Sequence, residues 1–396
     1  MTVAVQFSSS PRESPPRRRL GALIAAIALG AAGCSASAAS GDSGAYTLGL
    51  ITSQTGTGSQ LGVGELQGAQ LAVDQINARG GVNGKQLRLR TADDQSNPAQ
   101  AVLQTRKMLG GVDALVGPSL SGPCQAVIPL ATSAQLIDYC LSPGVKPKPG
   151  SYQWSASAPT ATLADRLLAY WKGQGLTRVG LIYTTDASGL DGAHAVQQAA
   201  AHTGVSVVGQ ASYSPSAVSV TSQLQAATAG KPQALVVWSS GAAAGVAFKG
   251  IDQMGLKLPV ATTDGNLTYA FLRRIADYTP DTLLIPATRD FWWQQQNPGA
   301  PVQQLERGYH DEFRARYGAD PDFGPGVAYD GVLLVAQALE KAHGDVTHAR
   351  DALESLRGVS GVVGTYTFAR DDHRGIDAED VGIVRAVNGR LTFVGR

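Results

Sequence analysis

The feature that most constrains the fold of this chain is a repeated alternation of short apolar strands, glycine-rich turns and helices. The first unit is a strand beginning at Tyr46, a turn over residues 55–64 and a helix that ends at Gly80 and Gly81. Further strands are predicted at 87–93, 114–116, 136–139, 179–183, 205–208, 234–238 and 260–262. Because parallel strands need a crossover connection, usually a helix, this rhythm predicts parallel, doubly wound sheets.

The strands fall into two series, and this division predicts two lobes. The roughly 350 residues after the N-terminal segment exceed what one hydrophobic core usually serves. Helices predicted at 303–316 and from Val327 extend one of the lobes. Near the C-terminus, apolar segments at 381–387 and 391–394 flank Asn388-Gly389, which predicts a β-hairpin. The predicted fold class is therefore α/β, with two doubly wound parallel-sheet lobes.

The first 33 residues have the pattern of an export signal. Four arginines among residues 12–19 accompany a single Glu13, and residues 20–32 are uncharged. A helix over that run reaches about 20 Å, short of the ~30 Å that a membrane span needs. Small residues directly before Cys34 form a bacterial lipobox. We therefore predict a signal peptide at 1–33, lipidation of Cys34, a flexible tether at 34–45, and anchoring to the outer face of the cytoplasmic membrane. The alternative is an ordinary cleavage site with an incidental cysteine.

Charge and cysteine content narrow the function further. Removing residues 1–33 takes away four Arg and one Glu, which leaves 28 basic and 30 acidic residues and a formal net charge of −2. Such a chain has no electrostatic footprint for nucleic acid. Cys124 and Cys140 lie close together in an exported protein, where a disulfide can persist, so we predict a bond between them. Two buried free thiols are the alternative.

The motifs for catalysis and cofactor binding do not fit. Gly56-Thr57-Gly58 with Gly62, followed by Asp93-Asp94, suggests a dinucleotide site, but the third glycine comes one residue late and the acid lies over thirty residues on. The sequence contains neither a Gly-x-Ser-x-Gly elbow nor a His-Glu-x-x-His pair. Its six histidines and three cysteines show no metal-ligand spacing. We therefore predict a binding protein without enzymatic activity, cofactor or metal.

Four loops that follow predicted strands carry the candidate binding groups. They are rich in hydroxyl groups and glycine and span residues 119–122, 142–145, 186–189 and 262–266. Each loop taken alone has a composition that is ordinary for a turn. Their recurrence at strand ends in both halves favours a cleft between the lobes, where helix N-termini suit a carboxylate and an acidic side chain suits an ammonium.

The chain resembles the leucine/isoleucine/valine-binding protein family of ABC importers. The resemblance rests on residues 68–84 (GAQLAVDQINARGGVNG), 93–99 (DDQSNPA), 116–118 (VGP) and 328–330 (AYD), and extends from about Thr47 to the C-terminus. It implies a type I periplasmic-binding fold, three hinge crossings between lobes, closure on a small-molecule ligand, and membrane permease and ATPase subunits as partners. We place the crossings near 156–158, 285–287 and 364–366. Lobe 1 is then 46–155 plus 288–363, and lobe 2 is 158–286 plus 366–396.

The resemblance also implies the site residues. Ser121 matches the serine that holds the ligand carboxylate, and Asp264 is the nearest match to the acid that pairs with the ligand ammonium. The remaining predicted contacts are Leu61, in place of an aromatic residue, and Ser142, Gly144, Val145, Asp186, Ser188, Leu190 and Tyr329, which is expected to face the cleft. Lys146 stands where relatives often have threonine. With lysine there, either backbone amides alone bind the ligand carboxylate, or the lysine adds a cation that suits a more anionic ligand.

The function that follows is capture of a branched-chain or other hydrophobic amino acid for an ABC importer. Variants at 140–144 and 185–189 leave a second possibility open, in which an aromatic or other small carboxylate is the transported ligand. A third possibility is a ligand-sensing module with no role in transport, because the same fold permits it.

Overall fold

The computed structural model describes residues 44–295, 300–387 and 389–396. The predicted signal peptide, Cys34 and most of the predicted tether lie outside the described residues, as does Asn388 of the predicted hairpin turn. In the described part of the chain, no helix is both long enough and apolar enough to cross a membrane.

The first sheet is built from the N-terminal third of the described chain. Its elements in chain order are β1 (Tyr46–Thr52), α1 (Ser59–Ala78), β2 (Leu87–Asp93), α2 (Pro98–Met108), β3 (Ala114–Val116), α3 (Ser121–Ser133), β4 (Asp138–Cys140) and β5 (Gln153–Ser155). The strands pair in parallel in the order β2-β1-β3-β4-β5. The start of α2 is fixed by a helix cap, because the Asn97 side chain accepts from the amides of Ala99 and Gln100 and proline occupies the first turn.

The elements that follow β5 in the chain are α4 (Thr160–Gly173), β6 (Arg178–Thr184), α5 (Ala187–Thr203), β7 (Ser206–Tyr213), α6 (Thr221–Thr228), β8 (Ala234–Trp238), α7 (Gly241–Gln253), β9 (Val260–Thr262), α8 (Tyr269–Arg274), β10 (Leu283–Thr288), α9 (Pro301–Tyr317), α10 (Phe323–Lys341), α11 (Val346–Glu354), β11 (Val359–Ser360), β12 (Thr365–Tyr366), β13 (Val381–Val387) and β14 (Arg390–Gly395). The second sheet has seven of these strands, in the order β14-β13-β10-β9-β8-β6-β7. β11 and β12 pair with each other in a separate two-stranded sheet.

The chain passes between the two sheets more than once. After β5 it enters the second sheet, and after β10 it returns, because α10 packs on α1 and β3 of the first sheet. It then returns again to form β13, which pairs with β10. The predicted fold class, two doubly wound α/β lobes, is confirmed. The residue limits proposed for the lobes and for the hinge crossings stay predictions.

Two features differ from the sequence-based expectation. The first sheet has a fifth strand, β5, which the apolar pattern does not predict because Trp154 is its only apolar residue. The second sheet is mixed, because β13 and β14 run antiparallel at one edge, as a hairpin requires. The parallel pattern therefore holds for β6 to β10 but not for the C-terminal pair.

The first lobe depends on a close approach between α1 and α10. A Cβ at Gly68 would lie 2.0 Å from the carbonyl oxygen of Pro325, far inside van der Waals contact. Backbone atoms of α10 occupy that space and cannot rotate away as a side chain can. By contrast, a Cβ at Gly308 of α9 would meet nothing within 4 Å.

These two glycines give a matched pair of substitutions. Gly68→Ala is expected to lower the free energy of unfolding by about 1–3 kcal/mol, because the helices must separate. Gly308→Ala should raise it by roughly 0.5–1 kcal/mol, because alanine is the better helix former. Urea denaturation of both variants measures the difference, and a neutral Gly68→Ala would show that α1 and α10 are not packed this closely.

Candidate functional site

A cavity of about 320 Å³ lies between the lobes, where the turns after the parallel strands of both sheets meet. The first lobe contributes the turn before α1, the start of α3 and the loop after β4. The second lobe contributes the turns that precede α5 and α7 and the segment after β9. Hydroxyl groups predominate among the polar lining side chains: Thr57, Ser96, Ser119, Ser121, Ser142, Ser188, Ser240 and Thr263.

Four helices begin at this cavity. Residues of the first turn of α1, α3, α5 and α7 line it, among them Gln60, Gly122, Ser188 and Ala242. The free amide groups and the partial positive charge at a helix N-terminus favour an anion. The cavity therefore suits a ligand with one negatively charged group.

The cavity lining contains few charged and few large apolar side chains. Asp186 is the only ionisable side chain among the described residues that line the cavity. One oxygen of Asp186 accepts from the Gly189 amide at 2.8 Å and the Thr184 hydroxyl at 3.0 Å, so it caps α5. Leu61, Leu120 and Phe323 supply apolar surface. A small amphipathic molecule with a short apolar group matches this combination.

Two serines of the first lobe meet at the cavity wall. The hydroxyl oxygens of Ser121 and Ser142 are 2.6 Å apart and share a hydrogen bond. Behind them, Cys124 and Cys140 form a disulfide that links the first turn of α3 to the end of β4. The disulfide therefore holds the two serine-bearing segments together.

A profile of the periplasmic binding protein family matches residues 45–390. This chain belongs to the periplasmic binding protein family. Membership implies a location outside the cytoplasm and a role in binding a solute rather than in catalysis.

Known relatives of this periplasmic binding protein agree with that assignment. The Leu/Ile/Val-binding protein BraC3 of Rhizobium johnstonii is 43% identical over 77 residues, which is 19% of this chain and 21% of that relative. The match thus spans about a fifth of the relative's length. A type 1 periplasmic binding protein from Bordetella pertussis Tohama I has a TM-score of 0.77 at 23% identity, over 89% of this chain and 100% of that one.

A further structural relative was solved with an amino acid bound. The branched-chain amino acid transporter substrate binding protein LivJ of Streptococcus pneumoniae, in complex with isoleucine, has a TM-score of 0.75 at 22% identity, over 89% of this chain and 100% of that one. Together these structures show the type I periplasmic-binding fold that the sequence predicts.

The structure brings half of the predicted site residues to the cavity. Leu61, Ser121, Ser142, Asp186 and Ser188 all line it. Gly144 lies where the lobes touch, because a Cβ there would be 2.4 Å from the Ser121 hydroxyl oxygen and 3.2 Å from the Cα atom of Ser188. Glycine is therefore required for the lobes to approach this closely.

Two predicted residues lie beside the cavity and do not line it. Val145 is buried against the Cys124–Cys140 disulfide and Ile128. Leu190 is 53% exposed on α5. Val145 belongs to the loop after β4 and Leu190 to the first turn of α5. Both segments reach the site, but neither side chain lines the cavity.

Asp264 also differs from the expectation. The carboxylate accepts from the Ser157 hydroxyl at 2.8 Å, the Thr263 hydroxyl at 2.8 Å and the Gly265 amide at 2.9 Å. Burial raises the pKa of Asp264, and these hydrogen bonds oppose the rise. Thr263 and Gly265 line the cavity, whereas the Asp264 side chain joins the second lobe to the segment after β5.

Tyr329 does not face the cleft. Its hydroxyl donates to the Gln75 side chain, and its ring packs against Tyr309 with centroids 5.0 Å apart. The residue lies on α10 on the side that meets α1 and α9, so its side chain stabilises the first lobe and does not line the cavity.

Lys146 is occupied by an interaction between the lobes. Its ammonium lies 2.7 Å from the carboxylate of Asp191 on α5, and the lysine side chain is 66% exposed. The structure thus does not direct the Lys146 charge into the cavity, because that charge is matched by Asp191. The other alternative, in which backbone amides hold the carboxylate, stays a prediction.

Two parts of the site are absent from the sequence-based prediction: the start of α7 and the buried Arg374. Ser240 and Gly241 follow strand β8 with the same hydroxyl-glycine pattern as the predicted loops, so the signal was present. Arg374 donates to the carbonyl groups of Pro143 and Val145, and to that of Ala158 at 3.3 Å. Arg374 holds the loop of Ser142 in place. The residues around Arg374 in the sequence do not indicate that role.

The disulfide offers a direct test of how this wall is held. In the double variant Cys124→Ala/Cys140→Ala, the unfolded chain gains the freedom that a link between residues 16 apart removes. The free energy of unfolding should fall by about 3 kcal/mol. Urea denaturation with and without reductant measures it. Reductant should destabilise the wild type and leave the variant unchanged, and equal stability of both proteins would contradict the prediction.

Proposed function

We propose that this protein is the solute-binding component of an ABC importer and that it captures a branched-chain or other hydrophobic amino acid between its lobes. The observation that carries the proposal is the lining of the cavity. Four helix N-termini and a serine pair can receive a carboxylate, one acid can receive an ammonium, and a short apolar wall can receive an aliphatic side chain. The ligands named for BraC3 and LivJ support the same class.

Each end of the amino acid has a proposed partner. The carboxylate lies at Ser121 and Ser142, with backbone amides at the start of α3. The ammonium lies at Asp186, because this residue lines the cavity and the three hydrogen bonds to Asp264 engage that carboxylate with its own lobe and the crossing. Asp264 is thereby proposed as a hinge residue in place of the ammonium partner implied by the resemblance.

Closure of the lobes is part of the proposal. The ion pair Lys146–Asp191 and the approach of Gly144 to Ser188 join the lobes beside the cavity. A ligand favours this arrangement only to the extent that it binds the closed state more tightly than the open one. The permease and ATPase subunits would then recognise the closed form, with lobe limits and crossings as proposed from the sequence.

Binding of leucine, isoleucine and valine to the purified protein tests the ligand class. We expect calorimetric binding and a raised melting temperature with each of the three. Asp186→Asn should weaken leucine binding roughly 10–100-fold, because a charged hydrogen bond contributes about 1.5–3 kcal/mol. Tyr329→Phe is the matched control and should leave affinity unchanged, since that side chain does not line the cavity.

The outcomes separate the alternatives. If 4-methylpentanoate, which is leucine without its ammonium, binds as tightly as leucine, the role of Asp186 is wrong and other carboxylates become the ligand class. If Asp264→Asn abolishes binding and Asp186→Asn does not, the residue implied by the resemblance is the ammonium partner.

Lipidation of Cys34 is tested separately in cells that express the full chain. The wild type should fractionate with membranes, because each buried CH₂ of an attached acyl chain contributes ~0.8 kcal/mol. Cys34→Ala should be released to the soluble extracytoplasmic fraction or remain uncleaved. Wild type that is released without detergent would show that the lipid anchor is absent.

A further inference from the structure

Ser119 is a cavity residue whose hydroxyl group is already engaged from behind. Its oxygen accepts a hydrogen bond from the Ser53 amide at 2.8 Å. The same oxygen is hydrogen-bonded to Oε2 of Glu65 on α1. Ser119 also lines the cavity, so its remaining hydrogen-bonding capacity faces the ligand space.

Glu65 is an unusual residue to find behind a binding site. Its side chain is fully buried, and Oε1 has no hydrogen-bond partner in the described part of the chain. The charged groups that act on it are two further acids, Asp94 and Asp322. An ionised, half-satisfied carboxylate in such surroundings is costly, whereas a neutral carboxyl is tolerated.

The protonation of Glu65 decides what Ser119 can offer to a ligand. A hydroxyl group has one proton and two acceptor positions, and the Ser53 amide occupies one of them. A neutral Glu65 donates to the second, which leaves the Ser119 proton free to point into the cavity. An ionised Glu65 takes that proton as an acceptor and leaves Ser119 with only a lone pair toward the cavity.

We propose that Glu65 acts as a positioning residue that holds Ser119 as a hydrogen-bond donor toward an oxygen of the bound ligand. The inference deepens the proposed function and rests on it, because the oxygen in question belongs to the carboxylate of the amino acid. Ser119 thereby joins Ser121 and Ser142 as a third hydroxyl donor, and Glu65 acts through Ser119 without touching the ligand.

The electrostatics of the site support this direction. Burial raises the pKa of Glu65 to about 8; the bond with Ser119 opposes the rise, and Asp94 and Asp322 add to it. Glu65 is therefore neutral at pH 7. The neutral form binds the carboxylate, and the ionised form both reverses Ser119 and repels the carboxylate. Affinity should be constant below that pKa and should fall as the pH rises through it.

The other acids near Glu65 must be separated from it in any test. Asp94 accepts from the Ser53 hydroxyl at 2.7 Å and the Ser96 amide at 2.8 Å, and Asp322 accepts from the Tyr269 amide at 3.1 Å. Burial raises the pKa of both. Glu65→Gln leaves both acids in place and supplies a carboxamide NH₂ that donates to Ser119 as a neutral carboxyl does. It is therefore the matched variant.

The experiment is calorimetric titration of wild type, Glu65→Gln and Ser119→Ala with L-leucine from pH 6 to pH 9, with folding verified by circular dichroism. The wild-type association constant should fall roughly tenfold between pH 7 and pH 9, as the binding-competent fraction falls. Glu65→Gln should match the wild type at pH 6 and show a flat profile. Ser119→Ala should bind more weakly than the wild type at pH 6 and show a smaller pH dependence, because Glu65 still titrates and repels the carboxylate but no longer reverses a hydroxyl group.

Two binding results would overturn the inference while leaving the proposed function intact. One is a Glu65→Gln profile that falls in parallel with the wild type, and the other is Ser119→Ala with wild-type affinity. A carbon-13 NMR titration of the glutamate carboxyl groups, with Glu65→Gln to assign the resonance, gives a readout without ligand. A Glu65 that is ionised at pH 6 overturns the inference, whereas failure of the wild type to bind leucine overturns the proposed function.

Discussion

Parallel strand pairing is the constraint on which the rest of this structure depends. In a parallel sheet every strand-to-helix turn lies at the carboxyl edge, so β1, β3, β6 and β8 all deliver the N-terminus of the following helix to one side. When two such sheets face each other by their carboxyl edges, the space between them collects backbone amide groups, the hydroxyl groups of the turns and a few apolar side chains. The binding chemistry is thus a consequence of topology more than of individual charged side chains, of which Asp186 alone lines the cavity in the described chain.

Two buried arginines connect the segments that join the lobes. Arg289, just after β10, contacts Glu306 at 3.2 Å, Asp380 at 3.0 Å and the Thr365 hydroxyl at 3.0 Å, and so links the second and third passages between the sheets. Arg374 bonds to the carbonyl groups of the loop after β4 and of Ala158. Because Arg presents a planar array of donors that stays charged, it can hold several separate chain segments at once. The loop that carries Ser142 is therefore mechanically coupled to the crossings.

The sequence is sufficient for features that depend on local pattern and insufficient for those that depend on distant partners. Alternation predicts both α/β lobes, and strand-end turns predict Ser121, Ser142, Asp186 and Ser188 at the cavity, since a turn is set by its own residues. The Asp264 side chain points away from the cavity because it accepts a hydrogen bond from Ser157, more than a hundred residues away in the sequence. In the sequence Glu65 is an ordinary acidic residue of a helix. It is buried because α10 packs on α1, and Gly68 makes that close approach possible.

The interior of this protein also contains several buried acids. Acids are buried just after β10 and on α10 as well as behind the cavity: burial raises the pKa of Asp290 to about 7 and that of Asp330 to about 6, although the Val362 and Val363 amides donate to Asp330. An unfolded aspartate titrates near about 3.9, so the folded chain binds more protons between that pH and about 7. These groups therefore contribute stability that is present at low pH and is lost as the pH rises through their folded pKa values. Near neutral pH these buried acids therefore make the region between β10 and α10 less stable than its packing alone would make it.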